Sequence, residues 1–242
     1  METVISITNL SKSFGKNHVL RNVTTALKRG QNLVVLGKSG SGKSVLIKCI
    51  IGLIKPDQGE IKVLGKNIPE LNKKELDILR KKVGFLFQSN ALYDSMSVRE
   101  NLEFPLRRHG IELTKEETEK LVLEALENVG LKHTVDMQPS ELSGGMKKRV
   151  ALARTLILKP EIILYDEPTT GLDTITSKEI SLLMRELAVK YQTSSIIISH
   201  DLNCVKIVAD EVMMLIDGCS YARDTYNNLA LSQDPKIKQF FE

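Results

Sequence analysis

The stretch Leu33-Val-Val-Leu-Gly-Lys-Ser-Gly-Ser-Gly-Lys43-Ser44 decides the fold of this 242-residue chain. Its four apolar residues, 33–36, predict a buried strand, and the apolar residues that recur at helical spacing after Ser44 predict a helix. A glycine-rich loop joins the two elements. The order strand, glycine-rich loop, helix is the context that a G-x-x-x-x-G-K-[ST] motif requires. We therefore expect a loop that binds phosphate rather than one that only reverses the chain.

The residues of this loop have predicted tasks at a nucleoside triphosphate. Glycines let backbone N–H groups converge on one anion at the positive end of the following helix. The Lys43 ammonium is placed to reach the β- and γ-phosphates, and the Ser44 hydroxyl is placed to bind Mg²⁺. The predicted nucleotide-binding residues of the loop are Gly37, Lys38, Ser39, Gly40, Ser41, Gly42, Lys43 and Ser44.

Composition limits the class of protein. Hydrophobic residues make up 42% and charged residues 26% of the chain, as in an ordinary soluble globular protein. The net charge of +4 is too small and too dispersed to indicate a nucleic acid partner. The three cysteines show no metal or disulfide spacing, which favours a reducing compartment. The longest apolar stretch is too short to span a bilayer, and the chain opens on a strand pattern rather than a signal peptide.

Strand and helix patterns predict an α/β fold with three parts. Alternating residues at 3–10 and 19–27 predict an antiparallel β layer before the phosphate loop. Residues 89–158 lose the strand signals and show helical ones. Strands and helices alternate again after them, which predicts a mostly parallel sheet. We expect one domain in which residues 1–88 and 159–242 form the core and β layer, and 89–158 form an inserted α-helical subdomain.

Two acidic residues stand where a buried strand ends. Asp166 and Glu167 directly follow the apolar run 162–165. In a parallel sheet the carboxyl ends of the strands face the ligand. Asp166 is therefore predicted to bind Mg²⁺, and Glu167 to polarise the attacking water as a general base. A solvated strand end is the alternative for two adjacent acids, and the phosphate loop in the same chain argues against it.

Two further polar residues follow apolar strands. His200 comes just after residues 195–198, and Gln88 follows the run 83–87. A lone histidine is more often structural, but at this position His200 is expected to contact the γ-phosphate. The amide oxygen of Gln88 can bind Mg²⁺ or the attacking water, although a glutamine alone is weak support.

A second helix start carries the same kind of chemistry as the phosphate loop. Residues Leu142–Met146 place a capping serine and two glycines before a helix predicted at 144–158, which exposes free N–H groups at its positive end. Ser143, Gly144 and Gly145 thus predict a second phosphate-binding surface. It lies in the helical subdomain, which we do not expect to fold back onto the chain's own phosphate loop. Two copies arranged head to tail would let each cap cover the other's nucleotide.

With these residues the chain resembles the ATP-binding subunit of an ABC transporter over essentially its full length. The matching motifs are Gly37–Ser44 (Walker A), Gln88 (Q-loop), Leu142–Met146 (signature), Ile162–Glu167 (Walker B), Thr170–Asp173 (D-loop) and His200 (H-loop). Phe14 resembles the aromatic residue that stacks on adenine, although the residue alone could equally be a core anchor. The resemblance implies a RecA-like P-loop NTPase core, ATP hydrolysis with ATP and Mg²⁺, and a place for Asp173 among the nucleotide-binding residues.

Two stretches narrow the resemblance to the Mla-type ATPases of bacterial phospholipid transport. Met146 stands where many transporters carry glutamine, and it does so beside matching stretches at 139–146 and Leu92–Leu106. The resemblance implies an integral-membrane permease, docked at 93–106, with an MCE-type lipid-binding protein and a small regulatory subunit as further partners. It also implies a peripheral location on the cytoplasmic face of the inner membrane. Residues Asp217–Tyr221 depart from the family, which more usually has a basic or apolar strand there.

Three alternatives differ in what the ATPase would serve. An importer or exporter ATPase for amino acids or macrolides would keep every catalytic residue and change only the partner. A non-transport ABC ATPase of DNA repair or translation usually has long coiled coils or two fused cassettes, and this sequence has neither. A nucleotide kinase or a GTPase would lack the Ser-Gly-Gly helix cap.

Overall fold

The computed structural model describes residues 2–241, so the predicted outer ends of the domain, Met1 and Glu242, lie outside the described residues. Its strands are Thr3–Phe14 (β1), Asn17–Lys28 (β2), Asn32–Leu36 (β3), Gln58–Val63 (β4), Lys66–Asn67 (β5), Val83–Leu86 (β6), Ile162–Asp166 (β7), Ser194–Ser199 (β8), Glu211–Ile216 (β9) and Cys219–Asp224 (β10). Its α-helices are Lys43–Ile50 (α1), Lys73–Arg80 (α2), Val98–Arg108 (α3), Lys115–Glu127 (α4), Gly144–Leu156 (α5), Thr174–Tyr191 (α6), Leu202–Val208 (α7), Tyr226–Ala230 (α8) and Pro235–Lys238 (α9).

The central sheet has six strands in the order β10-β9-β3-β8-β7-β6. Five of them run parallel, and β10 at the edge pairs antiparallel with β9. Every residue of β3, β7 and β8 is buried. This burial explains why these strands are continuous apolar runs or runs of small residues rather than alternating patterns. The predicted α/β fold with a mostly parallel sheet is confirmed.

The N-terminal strands form a separate antiparallel sheet in the order β2-β1-β4-β5. It corresponds to the predicted β layer, although β1 and β2 are each 12 residues long and extend beyond the alternating patterns that identified them. Helix α1 lies between the two sheets and packs on both. The phosphate loop therefore starts from the middle of the central sheet and ends on a helix that is covered on both sides.

Two hydrophobic cores lie on opposite faces of β3. Leu33 and Val35 belong to the core shared with α1 and the β layer, whereas Val34 and Leu36 belong to the core shared with helices α3–α7. Alternate residues of a strand point to opposite faces of its sheet, so one short strand anchors both cores. The phosphate loop consequently starts from a strand that both cores hold in place.

A helical segment connects the adjacent parallel strands β6 and β7. It contains α3, α4 and α5, and no strand is described within it. Capping boxes begin two of its helices, with Ser97 and Glu100 starting α3 and Thr114 and Glu117 starting α4. The bounds 89–158 for an inserted subdomain stay a prediction. Across residues 2–241, no helix is both long and apolar enough to cross a membrane.

Two elements differ from the sequence patterns. The amphipathic pattern at 177–191 predicts a helix over those residues. Helix α6 begins three residues earlier, at Thr174, because the Asp173 carboxylate accepts hydrogen bonds from the N–H groups of Ile175 and Thr176. The stretch that departs from the family contains a turn at Asp217 and Gly218 and the first residues of β10. The central sheet thus gains an antiparallel edge strand that the sequence did not indicate.

Candidate nucleotide site

Close backbone packing fixes the shape of the phosphate loop. Gly42 caps the start of α1 with a φ of 101°, and a Cβ there would lie 2.8 Å from the carbonyl oxygen of Val19. A Cβ on Gly37 would lie 2.5 Å from the carbonyl oxygen of Leu215. Only glycine fits at either position, so the glycines of the motif let the loop pack closely between β2 and β9.

The side chain of Lys43 folds back onto the phosphate loop. Its ammonium donates hydrogen bonds to the carbonyl oxygens of Gly37 at 2.7 Å and Lys38 at 3.1 Å, and it lies 3.9 Å from Glu167 Oε1. Burial lowers the pKa of Lys43, while the nearby carboxylates of Glu167 and Asp166 oppose that shift. The structure thus holds a cation at the loop that the sequence predicts to bind phosphate.

Ser44 and Asp166 come together from different elements. The Ser44 hydroxyl, at the start of α1, donates a hydrogen bond of 3.0 Å to Asp166 Oδ1, at the end of β7. Asp166 is only 6% exposed, and a hydroxyl next to a buried carboxylate is a donor set that suits a hard divalent cation. These two residues fit Mg²⁺, as the sequence predicts.

Glu167 is held by contacts from three directions. Its φ is 51°, in the left-handed region, and its N–H donates to the carbonyl oxygen of Ile198 on β8 at 3.0 Å. Its Oε2 lies 2.8 Å from Nδ1 of His200 and accepts a hydrogen bond of 3.2 Å from the Thr170 hydroxyl. A carboxylate fixed in this way can orient and deprotonate a water molecule. The role of Thr170 as a partner of Glu167 was not predicted, although a hydroxyl three residues after the acid could have indicated it.

One cavity of about 480 Å³ is lined by eight of the predicted site residues. Its volume lies in the range of small-molecule sites. It was not predicted that Val19 and Val45 would take part, because apolar residues at a strand start and in a helix look like core positions. The cavity is lined by Val19, Ser39, Gly40, Gly42, Lys43, Ser44, Val45, Gln88, Glu167 and His200.

Other predicted residues do not line this cavity. Phe14 is half exposed at the end of β1, and its ring centroid lies 5.3 Å from the Lys12 ammonium. Asp173 caps α6. Lys38 and Ser41 line a neighbouring cavity, on the side of the loop that faces the C-terminal helix α9. The roles of these residues at the nucleotide stay predictions.

The Ser-Gly-Gly cap packs against another part of its own chain. The Ser143 hydroxyl oxygen accepts a hydrogen bond of 3.3 Å from the N–H of Met146, which makes it the N-cap of α5. A Cβ on Gly145 would lie 2.7 Å from Cγ2 of Thr176, and one on Gly144 would lie 3.8 Å from Cδ2 of Leu172. The cap is formed as predicted, but it is not brought to the cavity of its own phosphate loop.

Comparison with known proteins gives the same family as the motifs. The family model described as "ABC transporter" matches residues 20–170. The intermembrane phospholipid transport system ATP-binding protein MlaF of Haemophilus influenzae is 38% identical over 241 residues, which cover 100% of this chain and 91% of that protein. The probable ribonucleotide transport ATP-binding protein mkl of Mycobacterium leprae is also 38% identical, over 99% of this chain and 69% of that protein.

A solved structure shares the fold. The ATP-binding cassette MJ0796, in a dimeric post-hydrolysis state bound to ADP and Pi, superimposes with a TM-score of 0.83 at 32% identity. The superposition covers 92% of this chain and 98% of that one.

Proposed function

The chain belongs to the ABC transporter family of ATPases, and we propose that two copies of it together power phospholipid transport through a membrane permease. The convergence of the phosphate loop, the Ser44–Asp166 pair and the Glu167–His200 pair around one cavity carries the proposal for the catalytic site. These groups come from four different elements, and ATP hydrolysis requires each of their functions.

ATP hydrolysis divides among the residues as follows. Mg²⁺, when bound, neutralises charge on the β- and γ-phosphates. Ser44 and Asp166 would hold it, with the amide oxygen of Gln88 as a further ligand. Glu167 acts as the general base, and His200 keeps the Glu167 carboxylate oriented toward the γ-phosphate. The Lys43 ammonium moves from the loop carbonyls to the phosphates that enter the site.

Pairing of two copies explains why the Ser143 cap lies away from the cavity of its own chain. A positive helix end with two adjacent glycines is suited to an anion, and within its own chain the cap of α5 contacts Leu172 and Thr176 instead. In a head-to-tail pair the cap of one copy covers the nucleotide of the other. The dimeric state of the related cassette MJ0796 supports this arrangement.

The membrane partners attach to the helical segment. Tyr93 is 43% exposed and packs against Phe104, with 4.8 Å between the ring centroids, so an aromatic pair lies at the surface of the segment 93–106. We propose that the permease docks there on the cytoplasmic side of the membrane. An MCE-type lipid-binding protein and a small regulatory subunit complete the complex. The likeness to MlaF, the ATP-binding protein of a phospholipid transport system, supports a membrane partner.

A ribonucleotide is the second candidate cargo, because mkl is as similar to this chain as MlaF is. The catalytic residues cannot distinguish the two, since the cargo never touches them. The cargo test is therefore made on the whole complex. The tagged chain is purified from its native membrane together with its partners, and copurifying lipids and nucleotides are identified by mass spectrometry.

Reconstitution of that complex into vesicles then tests transport. We expect bound phospholipid and ATP-dependent lipid transfer, both measured against a complex that carries Lys43→Ala and cannot power transfer. Either of two results would refute phospholipid transport. One is that a ribonucleotide, an amino acid or a macrolide copurifies and lipid does not. The other is that lipid transfer is equal in the two complexes.

A further inference from the structure

Lys148 is a buried cation in the helix that carries the Ser143 cap. Its side chain is 1% exposed, and its ammonium donates a hydrogen bond of 3.1 Å to the backbone carbonyl oxygen of Gln88. No carboxylate of residues 2–241 forms an ion pair with it, and this carbonyl is its one described hydrogen-bond partner. Lys148 thus connects α5 directly to a residue that lines the nucleotide cavity.

Stability does not explain a lysine at this position. Burial of an ammonium without a counter-ion is unfavourable, and a single neutral carbonyl compensates for only part of the lost hydration. The same burial lowers the pKa of Lys148 to about 8. Methionine has a similar length and no charge, so it would fill the space at lower cost. A residue that destabilises the fold where it lies calls for a functional explanation.

The backbone that follows Gln88 is held in the same manner. Arg154, also on α5, donates hydrogen bonds of 2.9 Å to the carbonyl oxygens of Asn90 and Ala91. Both residues have positive φ, 62° and 49°, so no regular structure fixes this part of the chain. Asn101 on α3 is fully buried, and its amide donates to the carbonyl oxygens of Tyr93, Met96 and Ser97. Side chains from α5 and α3 therefore determine the course of the segment that starts at Gln88.

We propose that Lys148 is a positioning residue that ties Gln88 to the helix bearing Ser143 and Gly145. Lys148 lies five positions after Ser143, which is about 7.5 Å along a rigid helix. A shift of Gln88 at the chain's own nucleotide therefore moves the cap that the chain offers to its partner. Arg154 holds the carbonyls of the two neighbouring residues, and Lys148 holds the carbonyl of Gln88 itself. This inference rests on the proposed function, because it assumes that the cap acts on a second copy.

A kinetic double-mutant cycle tests whether Lys148 acts through Gln88. Lys148→Met is made in the wild-type chain and in Gln88→Ala, and kcat and the KM for ATP are measured for all four proteins. We expect Lys148→Met to lower kcat about tenfold in the wild-type chain, as loss of a group that orients a ligand does, with KM changed less than about twofold. In the Gln88→Ala background the same substitution should change kcat less than about twofold, since the group it positions is gone.

Two further variants separate positioning from general damage. Lys148→Arg keeps a cation at the site and should restore most of kcat. Lys120→Met removes an exposed lysine of α4 and should leave kcat unchanged. Equal losses of kcat from Lys148→Met in the two backgrounds, or no loss in the wild-type chain, would overturn the proposal.

Hydrogen exchange gives a readout that does not depend on catalysis. In the full chain, the amides of residues 89–93 should exchange about tenfold faster in Lys148→Met than in the wild type, because a hydrogen bond from a charged group has been removed. Those of the Lys120→Met control should not change. Unchanged exchange in Lys148→Met would reject the tie between Lys148 and Gln88. A wild-type chain without ATPase activity would count against the proposed function, and the exchange measurement would still decide the role of Lys148.

Discussion

Glu167 combines a strained backbone with a fixed carboxylate. A non-glycine residue in the left-handed region costs roughly 1–3 kcal/mol, and such strain persists only where surrounding contacts enforce it. Here the contacts are the hydrogen bond from its N–H to Ile198 and the two contacts of Oε2 with His200 and Thr170. Strain at Glu167, whose carboxylate lies beside Lys43 and is held by two further side chains, fits a catalytic base whose orientation matters more than its effect on stability.

Replacement of Glu167 should separate ATP binding from hydrolysis. Glu167→Gln keeps the size of the side chain and removes its basicity, so we expect kcat to fall ~10²–10⁴-fold, the usual contribution of a general base. ATP affinity should change little, because the phosphates bind to the loop and to Lys43. Steady-state ATPase rates of the purified chain test the predicted fall in kcat, and equilibrium ATP binding tests the predicted affinity.

The matched control for that prediction is Glu186→Gln, since Glu186 is an exposed glutamate on α6. Its kcat should equal that of the wild type. Full turnover by Glu167→Gln would rule out Glu167 as the base.

Strand β10, which forms a hairpin with β9, is an element that the sequence patterns missed. Gly218 at its turn has a φ of 77°, and its carbonyl oxygen accepts a hydrogen bond of 2.8 Å from the N–H of Arg21. A Cβ on Gly218 would lie 2.5 Å from the carbonyl oxygen of Val19. The turn of the hairpin therefore packs tightly against the start of β2, where Val19 lines the nucleotide cavity.

Two glycine substitutions measure how much this close packing contributes to stability. Gly218 and Gly65 have almost the same φ, 77° and 76°, but a Cβ on Gly65 would meet no atom within 4 Å. Gly65→Ala should lower the free energy of unfolding by ~1–2 kcal/mol, the cost of a left-handed alanine. Gly218→Ala should lower it by ~2–5 kcal/mol, because a backbone clash is added. Urea denaturation measures both free energies of unfolding. Equal losses of stability in the two variants would contradict close packing of Gly218 against Val19.

At the level of elements, sequence patterns located those whose signals are local. The run at 33–36 and the glycine loop each carry their own signal, and each lies at its predicted place. The T-x-x-E pattern of Thr114 and Glu117 likewise predicts the capping box that begins α4. The start of α6 was placed too late because the N-cap Asp173 was assigned to the D-loop. Strand β10 was missed because Cys219–Asp224 alternates too weakly, and only its pairing with β9 makes it a strand.

The same limit applies within the site. Residues that follow strands, such as Asp166, Glu167 and His200, were predictable because parallel strands end at the same edge of a sheet. Contacts between distant segments were not. The bond from Lys148 to Gln88 has no sequence pattern, since it depends on how α5 packs against the chain that follows β6.

At the scale of the whole molecule, each of the two hydrophobic cores contains one buried cysteine. Cys49 packs with α1 and the β layer, and Cys204 packs with the helices on the other face of the central sheet. Burial raises the pKa of both thiols to about 11, so at lower pH they stay protonated as well as inaccessible. Cys219 is only half buried. The cysteines are therefore natural reporters of the two cores.

Alkylation of the native chain at pH 8 should label Cys219 alone, and unfolded chain should be labelled at all three cysteines. Reactivity requires an accessible thiolate, which burial denies to Cys49 and Cys204. Mass spectrometry of the labelled peptides makes the measurement, and Cys219→Ser should leave the native chain unlabelled. Labelling of Cys49 or Cys204 as fast as Cys219 would contradict the buried cores.

Pairing of two copies over ATP is the property of the whole molecule on which transport depends. In the proposed pair, each phosphate loop has its own Lys43, Ser44 and Glu167, and the Ser143 cap that completes the site would come from the other copy. A chain that binds ATP and cannot hydrolyse it should therefore remain paired. A chain with a blocked cap should bind ATP and stay single, because its phosphate loop is intact.

Analytical sedimentation in ATP and Mg²⁺ tests this pairing most directly. Two proteins are compared: the single variant Glu167→Gln, and the double variant that also carries Ser143→Arg. We predict that Glu167→Gln sediments as a dimer with ATP and as a monomer without it. The double variant should bind ATP with the same affinity and sediment as a monomer. A double variant that dimerises as fully as Glu167→Gln, or a Glu167→Gln chain that stays monomeric when saturated with ATP, would contradict a site completed by two copies.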